Sequence, residues 1–117
     1  MIDDEWLADR LQRFSTDRDW DRFHTPKNIA SALSVEASEL LEIFQWTRGQ
    51  RDFAEIDEDP AIRQHVEEEV ADILLYLIRF ASLAKIDLQQ AALKKMEQNA
   101  LKYPVSRSKG SDRKYSE

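Results

Sequence analysis

Apolar residues recur at helical spacing in four separate stretches, and each stretch opens on a capping signal. Trp6, Leu7, Leu11 and Phe14 follow Asp3 or Asp4 and predict a first helix reaching about Arg18. The segment "TDRDWDRFHTPKN" is polar and aromatic and reads as a connection. Thr25-Pro26 then opens a second helix, because the missing N–H of a proline has no helical partner in the first turn anyway. It is expected to run to about Trp46, with Gly49 just beyond its end. The charged stretch from Arg48 to Asp59 reads as a loop or a short helical excursion. Asp59-Pro60 repeats the cap and proline, starting a long third helix that ends near Ala84. Asp87 caps a fourth helix, which Pro104 stops.

The third helix carries its main apolar face on Val66, Val70, Ile73, Leu77 and Phe80, while Leu75 and Ile78 point elsewhere. A helix that is apolar nearly all round must be buried on two sides. One four-helix chain can hardly cover both, so a homo-oligomer built around this helix is expected.

Composition supports helices and narrows the chemistry. The 117 residues include only two Gly and three Pro, and 34% are charged, as in an all-α domain with short connections. Residues 1–104 form the expected domain, and the polar segment 105–117 is expected to be disordered. There is no cysteine, and His24 and His65 are the only soft ligands, so a bound metal should be held by oxygen. A net charge of -6 argues against binding a nucleic-acid polymer. The start "MIDDEWLADR" lacks the basic and continuously apolar character of a signal peptide, and Arg79, Lys85 and Asp87 interrupt the longest apolar run. No membrane association and a cytoplasmic location are expected.

The candidate chemistry lies in the acids. Turning about 100° per residue, Glu36 falls near the centre of the face formed by Ile29, Leu33, Leu40, Ile43 and Phe44, and Glu39 borders it. On the third helix Glu69 lies at the edge of the apolar face with Asp72 beside it. Acids three residues apart are neighbours on a helix, so four carboxylates converge if these two faces meet. Converging anions call for a hard divalent cation, and Mg²⁺ keeps coordination positions open for phosphate oxygens. Taken alone, either pair reads first as a solvated or salt-bridged face, and it is two pairs on inward faces that bring a site level with that reading. A di-iron bundle expects Glu-x-x-His pairs, which these acids do not form.

The pattern E-x-x-E followed by E-x-x-D resembles the MazG-like superfamily of all-α nucleoside triphosphate pyrophosphohydrolases. "DRDWDRFHTPKNIASALSVEASELLEIFQW", "EEEVADILLYL" and "KKMEQNALKYP" are similar to its dCTP pyrophosphatase branch, a resemblance covering roughly Phe14 to Pro104. The resemblance implies a four-helix bundle completed by homo-oligomerisation into a homodimer or homotetramer, and Mg²⁺ held by Glu36, Glu39, Glu69 and Asp72. It also implies hydrolysis of dCTP-like or modified pyrimidine nucleoside triphosphates to monophosphate and pyrophosphate, clearing the nucleotide pool. Glu36 or Glu39 would take the proton of the attacking water. Trp20, His24, Asn28 and Trp46 would surround the base, with Tyr76 close to the acids. Lys95, Asn99, Lys102 and Tyr103 would hold phosphates and sugar. Relatives cleaving dUTP or phosphoribosyl-ATP, and a non-catalytic helical dimerisation module, are the alternatives. Trp6 and Phe14 are assigned to core packing.

Overall fold

The computed structural model describes residues 1–46, 53–105 and 109–110, and among them there is no strand. Four α-helices, α1 (Asp4–Asp17), α2 (Pro26–Ile43), α3 (Pro60–Ala84) and α4 (Leu88–Lys102), are joined with 3-10 turns at Asp21–Phe23 and Phe53–Glu58. Met1–Ala84 forms one compact unit and Lys85–Glu117 a second. No described helix is long and apolar enough to cross a membrane.

The capping signals act at the positions expected of them. Asp3 accepts from the Trp6 amide at 3.0 Å, Thr25 from the Asn28 amide at 3.2 Å and Asp87 from the Gln90 amide at 3.0 Å. Each satisfies an orphan donor of a first helical turn. Helix α2 stops at Ile43, three residues short of the expected end, with Phe44 to Trp46 in a turn. Gly49 and the rest of 47–52 lie outside the described residues, as does most of the expected tail, 106–108 and 111–117.

The end of α1 folds the chain back on itself. Asp19 takes a left-handed φ of 55°, the Asp19 amide bonds the Thr16 carbonyl at 3.1 Å and the Trp20 amide bonds the Ser15 carbonyl at 2.9 Å. This is a Schellman closure with aspartate in the position glycine usually holds. It reverses the chain tightly enough to bring Trp20 and Asp21 back beside the helix they have just left.

Within the first unit α3 packs against α2, α1 and the Phe53–Glu58 turn, most extensively against α2. The apolar core is Ile29, Val66, Ile78 and Ala81, joined by the polar Ser15, Glu69 and Arg79. The expected division of α3 is thereby corrected. Ile78, assigned to a secondary side, is only 2% exposed, whereas Val70 and Leu77 of the supposed main face are 50% and 40% exposed. Three elements press on different sides of the helix, and none of them covers these two residues. Trp6 and Phe14 are likewise not core residues. Both are about half exposed, with the Arg10 guanidinium 4.6 Å above the Trp6 ring and Phe14 edge-on to Trp20 at 5.6 Å.

Candidate functional site

The contact between α2 and α3 brings acids from both helices together. Glu36, Glu69 and Asp72 each present a carboxylate oxygen, and these atoms all lie within 4.8 Å of one another. Glu69 is 8% exposed, Glu36 is half-buried and Asp72 faces solvent. Oε2 of Glu36 and Oε2 of Glu69 are buried without a hydrogen-bond partner. The other Glu69 oxygen, Oε1, lies 3.5 Å from His65 Nε2. Glu39, also half-buried, flanks the group within hydrogen-bonding reach of Glu36.

This arrangement costs free energy, because unpartnered carboxylate oxygens lose hydration and like charges repel. The Glu36 carboxyl is accordingly pushed above the usual carboxylate range. Its hydrogen bond to Glu69 acts first and burial second; contact with Glu39 opposes them, and the charges of Glu69 and Asp72 add to the rise. A hard divalent cation would satisfy the orphaned oxygens and remove the repulsion together, so the donor set fits one.

Beside the acids lies a cavity of about 510 Å³, bordered by Phe14, Trp20, His24, Asp72, Tyr76 and Arg79 among others. It runs from Asp72 to a polar cluster centred on Arg79, which is only 4% exposed. Arg79 Nε donates to His24 Nδ1 at 2.9 Å and Nη1 donates to Gln12 Oε1 at 2.8 Å. Nη2 donates to Asp21 Oδ1 at 3.1 Å and more weakly to Ser15 Oγ at 3.5 Å. Ser15 Oγ donates to Asp21 Oδ1 at 2.5 Å, and Thr16 Oγ1 and Gln12 Nε2 each donate to Asp21 Oδ2 at 3.1 Å. These donors hold the Asp21 carboxyl below its ordinary range, the Ser15 hydroxyl most of all, with the Arg79 charge a smaller contribution. Burial and the Arg79 charge lower His24, while Asp21 pulls it the other way.

The MazG-like family profile matches residues 31–117. The chain belongs to the MazG-like family. It is 41% identical over 104 residues to dCTP pyrophosphatase 1 of Bos taurus and 40% identical over 105 residues to that of Homo sapiens, each match covering 89% of this chain and 61% of the relative. The chain thus spans about three fifths of the length of these relatives. The crystal structure of a pyrophosphatase from Archaeoglobus fulgidus superposes with a TM-score of 0.74 at 46% identity, covering 86% of this chain and 91% of that one.

Of the residues singled out in this MazG-like sequence, Glu36, Glu69 and Asp72 meet, with Glu39 at their flank. Trp20, His24 and Tyr76 border the adjoining cavity. Asn28 does not border it; its side-chain amide donates to the Phe23 carbonyl at 2.9 Å and stabilises the 3-10 turn. Trp46 stands 89% exposed beyond the end of α2. Lys95, Asn99 and Lys102 lie on α4 and Tyr103 caps its C-terminus, in the second unit. Sequence reasoning passed over Arg79, Gln12 and Ser15. The available signal was a lone arginine inside an apolar run, seven residues after Asp72 and therefore on nearly the same side of α3.

Proposed function

We propose that this chain hydrolyses nucleoside triphosphates to the monophosphate and pyrophosphate in the presence of Mg²⁺, with dCTP-like or modified pyrimidine nucleotides preferred. The observation that carries this reading is the meeting of Glu36, Glu69 and Asp72 at the α2–α3 contact with two buried, unpartnered oxygens. The names of the relatives, dCTP pyrophosphatase 1 and a pyrophosphatase, support it.

Glu36, Glu69 and Asp72, with Glu39 in support, would hold the cation, which when bound supplies positive charge to the phosphate oxygens. Water attacks the α phosphorus, the bridging bond to the β phosphate breaks, and pyrophosphate leaves. Glu39 lies outside the group of three yet touches Glu36, so it is the carboxylate left to accept the proton of the water, with Glu36 the other candidate. The cavity beyond Asp72 would take the nucleoside, Trp20 offering an aromatic face and Tyr76 bridging acids and sugar. As the resemblance implies, Trp46 would add a base contact and Lys95, Asn99, Lys102 and Tyr103 contacts to phosphates and sugar, while Asn28 would act through the turn at Phe23 that it holds. The half-exposed Val70 and Leu77 favour a homo-oligomer, and a cytoplasmic enzyme that clears excess or damaged deoxynucleotides fits this chemistry.

Pyrophosphate release from a panel of canonical and modified triphosphates, with Mg²⁺ and with EDTA, tests the proposal. Mg²⁺-dependent release with monophosphate as co-product is expected. A chain that releases pyrophosphate from none of them, and whose melting Mg²⁺ leaves unchanged, would instead be a helical dimerisation module.

A further inference from the structure

Asp72, Tyr76 and Arg79 form one stripe along α3 and all three border the same cavity. At 1.5 Å per residue the stripe spans about 10 Å, a length that reaches from the α phosphate of a nucleotide across its sugar to its base. If phosphates occupy the acid end, the base reaches the level of Arg79.

The chemistry at that level is one-sided. A guanidinium has five N–H donors. Nε–H is taken by His24, one Nη1 hydrogen by Gln12, and the Nη2 hydrogens by Asp21 and Ser15. Among the described residues the second Nη1 hydrogen has no protein acceptor, and at 4% exposure bulk water is not at hand to replace one. Because His24 Nδ1 accepts from Arg79, the neutral ring carries its proton on Nε2. The Ser15 hydroxyl hydrogen is committed to Asp21. The guanidinium charge is itself paired with Asp21 at 3.1 Å, so this end of the cavity offers N–H donors beside a neutralised charge, and the partner it suits is a neutral acceptor such as a carbonyl oxygen.

Resting on the pyrophosphohydrolase reading, we propose that Arg79 is a specificity-determining residue that donates from Nη1 to the O2 carbonyl oxygen of a pyrimidine base. Gln12, Ser15, Asp21 and His24 hold the guanidinium in place, so the donor is ordered before the substrate arrives. Adenine, with no carbonyl, leaves that hydrogen unsatisfied and is disfavoured.

The test compares dCTP, the triphosphate of a 2-aminopyridine C-deoxynucleoside, which keeps the ring and amino group but lacks O2, and base-free 2-deoxyribose 5-triphosphate, all with Mg²⁺. For the unaltered chain, kcat/KM should fall at least about 30-fold from dCTP to the analogue, because a site built for a hydrogen bond rejects a ligand that cannot make it. In Arg79→Gln and Arg79→Lys the preference for dCTP over the analogue should shrink toward unity, while part of the preference over the base-free compound remains because Trp20 still meets the base. Equal use of dCTP and the analogue by the unaltered chain overturns the proposal without any variant having to fold. A variant that loses rate on all three in equal proportion overturns it too, and makes Arg79 a structural residue. If no compound is cleaved, the pyrophosphohydrolase reading falls and takes this one with it, whereas cleavage without discrimination removes only the role of Arg79.

Discussion

Arg79 and His24, 55 residues apart in the chain, are joined by a hydrogen bond of 2.9 Å from the guanidinium Nε to the imidazole Nδ1. The bond needs a neutral imidazole, and His24 is held below its ordinary pKa by burial and by the Arg79 charge. Its folded pKa is depressed, so the unfolded chain binds the proton first and stability falls as pH drops below about 6.5. Glu36, raised above its ordinary range, acts in the opposite sense, its stability contribution being lost as pH rises through its folded pKa. The two are separated by working without divalent cations in Glu36→Gln. In that background the melting temperature should decline from pH 7.5 to 5.5. Adding His24→Asn, whose amide oxygen can still accept from Arg79, should flatten the decline. Identical pH slopes with and without His24 would refute this.

Removing one charge from the acid cluster should separate stability from turnover. Glu36→Gln relieves repulsion around an orphaned oxygen, so the metal-free protein should melt at a higher temperature than the unaltered chain at neutral pH. Its pyrophosphate release should nevertheless fall about 100-fold or more. A near-normal rate would remove Glu36 from the site.

Mg²⁺ should raise the melting temperature of the unaltered chain, since a ligand bound only by the folded state adds about 2.7 kcal/mol at a hundred times its Kd. The shift should disappear in the double variant Glu36→Gln with Asp72→Asn, because two of the three clustered oxygens then belong to neutral groups. Calorimetry with and without EDTA checks both. A shift that survives in the double variant would place the cation elsewhere.

Two apolar substitutions on α3 should behave differently. Ile78→Ala empties a fully packed position and should cost about 2–5 kcal/mol of stability by denaturant titration. Val70→Glu changes a half-exposed residue and should leave each chain folded while lowering the mass seen by sedimentation. An unaltered chain that stays monomeric at every concentration would remove the reason for the second expectation.

The helix starts were readable because a cap acts locally. Asp3, Thr25 and Asp87 bond amides three residues away, and neither packing nor partners alter that. The pairing of acids was readable for a similar reason, since three residues of helix place two side chains on one side wherever the helix docks. The buried side of α3 was not readable. Val70, Leu77 and Ile78 are all apolar, and which of them is covered depends on where α1, α2 and a 3-10 turn come to rest.

The sequence by itself therefore determined the four helices, their ends to within a few residues and the family, because capping, periodicity and motif spacing are short-range properties. Only the tertiary structure decided that Glu36, Glu69 and Asp72 share one point while Glu39 stands beside it. It alone also turned a lone arginine in an apolar run into the ordered end of a cavity, through bonds to residues 55 to 67 positions earlier in the chain. Burial and electrostatics depend on distances in space, and those distances exist only once the helices have packed.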